Sequence, residues 1–451
     1  MDTLDTYVGL ARRRPPGPAG PVDMPAMRRA PLDFLAELAR RYGDITMHQA
    51  DGDTVYTLNR PEWARHVLRD NGANYTKKRT PDDFMLRPLL GNGLLTSNGP
   101  EWAAQRHMCA PAFRPAEVAR FDTVIVDAAE RMLAAWRPAI ASGQPLAVDH
   151  HLTALTLAVI TRAILGANIE GVGEGFGRAV DDVNRFIGHY IPAEDPDPAD
   201  TAQRHRDYRR GRAFLDAVTR TLISARRATG TDEANLLNTM MTSHHIVSDT
   251  DLRDQVLTIV MAGHETTAKS LTWTLYLLDR HPEEAAKVYG EVDRVLAGRR
   301  ATAADYPRLE ACRRAVQEAM RLYPPVWLTS RRATGPDVVG GYDVAPGTLV
   351  CVSQWMLHRH PEYWDRPDAY LPDRFADTTS LPSHLYLPFG GGDRICIGQH
   401  FAMLEATLVL ATIAQHVRLT LVPGHPVVPE ALVTLRPKHG MRMVAGPRET
   451  Q

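Results

Sequence analysis

The sequence predicts a mainly α fold with small β-sheets. Helical periods of apolar residues dominate between residues 100 and 322. Short strand-like stretches, punctuated by glycine and proline pairs, precede and follow this region. The 451 residues contain no Gly/Ser-rich linker and no internal repeat. We therefore expect one large domain over residues 31–451, preceded by an extended, proline-rich arm at residues 1–30.

The individual elements follow from the apolar periods in chain order. A helix is expected at about 31–41, and then a strand pair within 45–58 that turns at Asp51-Gly52-Asp53. Further helices are expected at about 100–108, 116–137, 150–166, 172–188, 205–228, 233–242, 250–279, 282–297, 308–322 and 399–415, and strands within 332–352, 416–422 and 432–443. The helix at 250–279 is the longest and most apolar, but four charged residues interrupt it. It is predicted to run through the protein core rather than a membrane.

Charge and cysteine usage exclude several classes of function. Lys and Arg total 52 against 53 Asp and Glu, so the net charge of -1 argues against a nucleic-acid partner. The acidic N-terminus and its short apolar stretch predict neither export nor a membrane anchor. The four cysteines lack paired or zinc-type spacing, which favours a reducing, cytoplasmic location.

The most specific pattern is the loop from Phe389 to Gly398, which reads Phe-Gly-Gly-Gly-Asp-Arg-Ile-Cys-Ile-Gly. Its three consecutive glycines permit unusual dihedrals and close approach to a flat ligand, and Gly398 leaves further room. Cys396 lies just before a predicted helix, where free amides and the helix dipole favour a thiolate. The alternative is a glycine-rich turn with a buried, inert cysteine.

A second pattern, Ala262-Gly263-His264-Glu265-Thr266-Thr267, falls in the middle of the long helix. The two small residues leave room for a small ligand against the backbone. A threonine hydroxyl that bonds back to the preceding turn can open the helix locally. The alternative is a threonine-rich helix with one glutamate reaching towards solvent.

Two further pairs lie on predicted helices. Glu318 and Arg321, at i and i+3, share a helix face and can form an ion pair. Trp102 and Arg106, at i and i+4, also share a face. Taken alone, the first is a common surface ion pair and the second a half-buried tryptophan covered by an arginine stem.

Together and in this order, these motifs resemble the cytochrome P-450 family. The resemblance implies a single-domain cytochrome P-450 fold, with the long central helix over the haem, and haem b (iron protoporphyrin IX) as the cofactor. Cys396 would be the axial metal ligand, with Phe389 packed near its sulfur. The other implied residues form two groups: a cofactor-binding group, Trp102, Arg106, Ala262, Gly263, Arg331 (or its neighbour Arg332), Arg394 and Gly398, and a buried structural network, Glu318, Arg321 and Arg374.

The resemblance also implies a reaction. Glu265 would relay protons and Thr266 would orient dioxygen, so that one oxygen atom is inserted into a substrate, whereas His264 is expected to be packing. No part of the sequence resembles a reductase, so electrons are expected from a separate ferredoxin and ferredoxin reductase. The segments that would line a substrate pocket are mostly apolar and include 84–95, 186–190, 259–263, 326–329 and 432–434.

These linings favour a hydrophobic small molecule, such as a terpenoid or polyketide-like intermediate of secondary metabolism. Two alternatives remain open from the sequence. One is a haem-thiolate isomerase or peroxide-driven enzyme, which would not need the Glu265 and Thr266 pair. The other is a non-catalytic haem-binding sensor, which would need neither an oxygen-binding groove nor an electron carrier.

Overall fold

The computed structural model describes residues 13–166, 173–188, 198–229, 235–246 and 248–448. The helices, numbered in chain order, are α1 (Met24–Arg29), α2 (Pro31–Tyr42), α3 (Pro61–Arg65), α4 (Pro81–Leu90), α5 (Gly99–Cys109), α6 (Pro115–Ala119), α7 (Asp122–Ser142), α8 (Val148–Leu165), α9 (Gly173–Gly188), α10 (Pro198–Thr229), α11 (Leu236–Met241), α12 (Asp249–Arg280), α13 (Pro282–Leu296), α14 (Glu310–Leu322), α15 (Gln354–Leu357) and α16 (Gln399–His416). The prediction of a mainly α fold with small sheets is confirmed.

The strands are short and fall into four small sheets. They are β1 (Ile45–Ala50), β2 (Asp53–Leu58), β3 (Tyr75–Thr76), β4 (Pro145–Ala147), β5 (Thr329–Ala333), β6 (Asp337–Val339), β7 (Tyr342–Val344), β8 (Leu349–Val352), β9 (Val417–Leu421), β10 (Pro429–Ala431), β11 (Leu435–Pro437) and β12 (Arg442–Pro447). The predicted strand pair at 45–58 forms as β1 and β2, with Ala50 opposite Asp53 at the turn.

Contacts divide the chain into two compact units. The first comprises Met1–Asp83, Leu328–Asp365 and Leu381–Ile395. It contains a five-stranded sheet in the order β1-β2-β8-β5-β3, in which β2 and β8 are parallel and the other pairs antiparallel. The β6–β7 hairpin belongs to the same unit.

The second unit comprises Phe84–Trp327, Arg366–Ser380 and Cys396–Gln451 and is mainly helical. Its central element is α12, which packs against α8, α10, α14 and α16 and is buried along most of its length. The Ser248 side chain caps its start by accepting from Asp251 N, and Arg280 lies in its last turn. The antiparallel sheet β4-β12-β9 and the β10–β11 hairpin complete the unit.

Three predicted elements differ from the structure. The helix expected at about 205–228 begins earlier, because α10 starts at Pro198. The helix expected at 116–137 is interrupted, because α6 ends at Ala119 and α7 begins at Asp122. The arm expected to be extended over residues 1–30 contains α1, which forms because the Asp23 side chain accepts from Ala26 N and Pro25 fits a first helical turn. Residues 1–12 of that arm lie outside the described part of the chain.

Within the described residues, no helix combines the length and the apolar character needed to cross a bilayer. The four charged residues that interrupt the apolar stretch of α12 are buried: Arg253, Asp254, Glu265 and Lys269. Arg253 and Asp254 are both buried and form an ion pair at 2.9 Å. The prediction that this helix runs through the protein core is confirmed.

Candidate functional site

Cys396 lies in the second unit, three residues before α16 begins. Its side chain is exposed. Nevertheless, burial raises the pKa of the Cys396 thiol, and this effect exceeds the opposing influence of the Gly398 amide and the Arg106 charge. The Cys396 side chain is exposed although its sulfur is desolvated. The thiol therefore faces open space that lies below the outer surface of the protein.

The expected effect of the helix start on Cys396 is present, but by itself it does not make the sulfur a thiolate. Desolvation of the sulfur outweighs the amide donor and the nearby guanidinium, which act in the expected direction. A coordinating metal ion removes the proton from a thiol outright, so a thiolate at this position depends on the metal.

The glycines of the cysteine loop serve different purposes. Gly390 and Gly392 have φ of +71° and +67°, and a Cβ on Gly392 would meet the Leu68 carbonyl oxygen, so these two positions require glycine. The φ of Gly391 is not positive, so the expectation that all three glycines take unusual dihedrals holds for two. A Cβ on Gly398 would lie 3.8 Å from the Phe113 ring, an ordinary contact, so protein packing does not require glycine there.

The first unit contains a cluster of cations that includes two of the predicted cofactor-binding residues, Arg331 and Arg394. Burial, together with the nearby charges of Arg331 and Arg394, lowers the pKa of Lys77 to about 8. Asp82 and Asp83 oppose this shift. Three cations against two carboxylates leave an excess of positive charge, which suits an anionic ligand.

Sequence reasoning missed Lys77. The available signal was the run Lys77-Lys78-Arg79 between β3 and α4, which places three positive charges beside a short strand. The run did not show which of the three side chains turns inwards. Lys77 is half-buried, whereas the next two residues are exposed.

Arg331 and Arg332 have different partners in the structure. Arg332 forms a bidentate pair with Asp53, with both nitrogen–oxygen distances at 2.7 Å. Arg331 is buried and donates to the Ser330 carbonyl oxygen. Burial lowers the pKa of Arg331 to about 10, and Asp82 opposes this only in part. Arg331 is thus the better candidate for an anionic ligand, because Arg332 already has a carboxylate partner.

Trp102 and Arg106 lie on α5 as the i,i+4 spacing predicted. Both are half-buried, and the Arg106 guanidinium carbon lies 5.8 Å from the centre of the Trp102 ring. Arg106 is also close enough to Cys396 for its charge to act on the sulfur. In this unit, the predicted iron ligand and a predicted cofactor-binding arginine are therefore neighbours.

The middle of α12 has an open face. Ala262 is exposed and Thr266, one turn later, is half-exposed, although most residues of the helix are buried. The Thr266 hydroxyl donates to the Ala262 carbonyl oxygen at 2.9 Å, as the local pattern predicted. A flat ligand can approach the helix on this face without meeting a large side chain.

Gly263 does not belong to that face. A Cβ on Gly263 would lie 2.7 Å from two carbon atoms of the Ile160 side chain on α8. The glycine is required because α8 and α12 pack closely at this point, not because a ligand needs room. The expectation that Gly263 binds the cofactor has no support from this geometry.

Glu265 is buried and points away from the open face. Its Oε1 atom accepts hydrogen bonds from Asn184 Nδ2 at 2.7 Å and from Thr434 Oγ1 at 2.8 Å. Asn184 lies on α9, and Thr434 lies in the turn between β10 and β11. No local sequence pattern indicated these two partners.

His264, between the small residues and the acid, is fully buried. Its Nδ1 atom lies 2.8 Å from the Val260 carbonyl oxygen and its ring packs edge-on against Phe176. Burial lowers the pKa of His264. These contacts agree with a packing role.

The structure brings together Glu318, Arg321 and Arg374. Arg321 donates from Nε and Nη2 to the two oxygens of Glu318, both at 2.8 Å, and Arg374 Nε donates to Glu318 Oε1 at 3.0 Å. Arg321 also donates to the carbonyl oxygens of Pro367 and Ala369. The network thus ties α14 to the segment that follows residue 366.

Glu405 on α16 is a buried acid that sequence reasoning missed. Its side chain is fully buried, and neither carboxyl oxygen has a hydrogen-bond partner within 3.5 Å among the described residues. Burial raises the pKa of Glu405 well above its usual 4.5, and the neighbouring Thr267 opposes this only weakly. Burial without a partner therefore favours the neutral form of the Glu405 carboxyl group.

The free energy of unfolding of the Glu405→Gln variant should increase relative to that of the parent chain as the pH rises above 4.5. In the unfolded chain Glu405 loses its proton near that pH, whereas in the folded chain it keeps it, so the free energy of unfolding falls with pH in this window. Glutamine removes the effect, which amounts to about 1.4 kcal/mol per pH unit. Urea denaturation of both chains at pH 5 and pH 6 measures it, and a difference that does not grow would mean that Glu405 ionises inside the protein.

A cluster of Asp44, His360 and Glu362 has the composition of a metal site, but an arginine lies among its carboxylates. Arg60 pairs with Asp44 and with Glu362, each at 2.6 Å, and His360 Nε2 lies 3.0 Å from Asp44. The guanidinium supplies the positive charge that the two carboxylates need. This cluster is an ion-pair network.

The residues of each unit fit a haem. The second unit offers a thiol with an amide donor and an arginine near its sulfur. In the same unit, α12 has an open face. The first unit offers an excess of positive charge around the buried Arg331, which suits two carboxylates. Soft sulfur is a ligand of haem iron, and arginine is a common partner of carboxylates.

Comparison with known proteins gives one consistent result. A sequence model of the family described as Cytochrome P450 matches residues 15–442. Cyclooctatin synthase of Streptomyces melanosporofaciens is 34% identical to this chain, over 93% of the chain and 91% of that protein. Cyclooctat-9-en-7-ol 5-monooxygenase of the same species is 32% identical over 88% and 87%. Pentalenene oxygenase of Streptomyces avermitilis is 31% identical over 92% and 93%.

Proposed function

The chain belongs to the cytochrome P450 family and is therefore a haem-dependent monooxygenase, and we propose that its substrate is a terpenoid intermediate of secondary metabolism. This substrate class is supported by the similarity, over nearly the whole chain, to relatives named for cyclooctat-9-en-7-ol and pentalenene. Both molecules are hydrophobic terpenoids, and the predicted pocket segments are mostly apolar. Polyketide-like substrates have no such support.

We propose haem b as the form of the cofactor, with Cys396 as its iron ligand. When bound, the haem supplies the iron at which dioxygen is activated. Arg331, Arg394, Trp102 and Arg106 would bind its propionates, and Lys77 adds a further cation to the first two. Gly398 and Ala262 would leave room for the ring, whereas Gly263 is assigned to helix packing.

The reaction consumes a substrate C–H bond, dioxygen, two electrons and two protons, and yields an alcohol and water. Thr266 would orient dioxygen with the hydroxyl that, in the structure, bonds Ala262 O. Glu265 would carry protons towards this face, which requires its carboxylate to leave Asn184 and Thr434. The two electrons would come from a separate ferredoxin and ferredoxin reductase. Four free cysteines favour a reducing compartment, so we place the enzyme in the cytoplasm.

The experiment that tests the cofactor assignment is the optical difference spectrum of the reduced protein with and without carbon monoxide. A thiolate opposite carbon monoxide should shift the main haem band strongly to longer wavelength. An unshifted haem band would contradict thiolate ligation, and a protein that retains no haem would contradict the cofactor itself.

The substrate class is tested by optical titration of the iron spin state. Pentalenene and cyclooctat-9-en-7-ol are suitable probes, and a hydrophobic fatty acid of similar size is the control. A saturable spin-state change with either terpenoid at lower concentration than with the fatty acid would support the proposal. A response to the fatty acid alone would contradict it.

Thr266→Ala should lower the product formed per electron pair and raise the yield of hydrogen peroxide. The variant removes the hydroxyl on the open face of α12 but leaves the helix intact, because alanine is a good helix former. Product and peroxide are both measured against electron donor consumed. Thr266→Ser keeps a hydroxyl and should retain most of the coupling; equal coupling in the alanine variant and the parent chain would contradict the role of Thr266.

A further inference from the structure

The Glu265 carboxylate is held by two donors from distant parts of the chain. Asn184 is 81 residues and Thr434 is 169 residues from Glu265 in the sequence, yet both donate to the same oxygen, at 2.7 and 2.8 Å. All three side chains are at most 5% exposed. We call these three residues the Glu265 clasp. Such short, buried hydrogen bonds fix the carboxylate in one position.

That position is not the one from which Glu265 could serve Thr266. Consecutive residues of a helix point about 100° apart, so the two side chains leave α12 in different directions. The Thr266 hydroxyl lies on the open face, bonded to Ala262 O, whereas the Glu265 carboxylate lies among buried groups of α9 and the β10–β11 turn. Proton transfer to the open face therefore requires the clasp to open.

The two segments that supply the donors are also joined to each other. Arg436 on β11 pairs with Asp181 on α9 at 3.1 Å and with Glu430 on β10 at 3.0 Å. Asp181 lies three residues before Asn184, so this bridge is adjacent to the clasp on the same helix. The Trp327 indole further anchors the turn by donating to Leu432 O at 2.8 Å. A shift of α9 or of the hairpin would therefore change both donors to Glu265 together.

We propose that Asn184 and Thr434 are positioning residues that hold the Glu265 carboxylate away from the open face of α12. In this way they limit proton delivery in the resting enzyme. The proposal rests on the proposed function, because it assigns Glu265 to proton transfer. A purely structural role would make the clasp variants less stable without changing where the Glu265 carboxylate lies or how often it delivers protons.

The first test observes the carboxylate directly. Infrared spectra of the holoenzyme labelled with ¹³C-carboxyl glutamate, minus those of the Glu265→Gln variant, isolate the Glu265 band, whose frequency depends on its hydrogen bonds. Thr434→Val, which is nearly isosteric, should shift the band, and Thr434→Ser should restore it. Thr219→Val is the matched control, because this buried hydroxyl bonds Leu215 O in its own helix, α10. An unshifted band in Thr434→Val would overturn the clasp.

The second test measures how the Glu265 clasp affects the rate of oxygen consumption. With a surrogate ferredoxin and reductase but no substrate, Asn184→Ala and Thr434→Val should consume oxygen several-fold faster than the parent holoenzyme, and the Thr219→Val control should not. The double variants with Glu265→Gln should lose this increase, because the released acid is then missing. Unchanged or slower consumption in both single variants would overturn the limit on proton delivery.

The two proposals fail in distinguishable ways. If the carbon monoxide spectrum shows no thiolate-ligated haem, the proposed function fails, whereas the infrared band still reports on the clasp. If the spectrum is as expected but the band or the oxygen consumption does not respond, the clasp fails and the proposed function stands.

Discussion

Cys396→Ser should abolish monooxygenation and remove the strongly shifted carbon monoxide band. The serine hydroxyl has a far higher pKa than a thiol and does not donate charge to iron as a thiolate does. The surrounding protein also raises the pKa of the Cys396 thiol, so that a metal ion is needed to remove its proton. A serine hydroxyl at this position would be still harder to deprotonate. We therefore expect the variant to lose all of its monooxygenase activity rather than only part of it.

The matched control is Cys351→Ala. Cys351 is buried on β8 against Val55 and Leu349, and burial raises the pKa of its thiol to about 12. Its removal should cost stability through the lost packing but should leave the carbon monoxide band in place. Product formation by the Cys396→Ser variant, at a rate comparable with the parent enzyme, would refute Cys396 as the iron ligand.

Local patterns predicted the parts of the site that depend on neighbours in the sequence. The i,i+3 pair Glu318 and Arg321 and the i,i+4 pair Trp102 and Arg106 lie on the helices expected for them. The bounds of α12 agree within one residue, because a capping serine precedes it and an arginine occupies its last turn.

The parts that were missed depend on long-range contacts or on burial. Asn184 and Thr434 approach Glu265 from elements far away in the sequence, and no local pattern links them. The sequence showed that Gly263 is small but not that Ile160 packs against it. The pKa of Cys396 was expected to fall because of the nearby helix start, whereas the desolvation that raises it comes from the fold as a whole.

Glu318→Gln should destabilise the protein by about 3 to 5 kcal/mol, because it leaves the Arg321 guanidinium buried without its carboxylate. Glu318 and Arg321 are both fully buried, and Glu318 also accepts from Leu371 N at 2.9 Å, so glutamine replaces an acceptor with a donor in a closed network.

Arg374→Ala should cost less than Glu318→Gln, because the Arg374 side chain is 13% exposed and its loss leaves Glu318 paired with Arg321. The order of the two effects is what identifies a buried network, since a surface ion pair would lose about 1 kcal/mol or less from either partner. Urea denaturation of the parent chain and both variants at pH 7 measures the two losses. Equal losses below about 1 kcal/mol in both variants would mean that the three side chains, despite their burial, contribute no more than a surface pair.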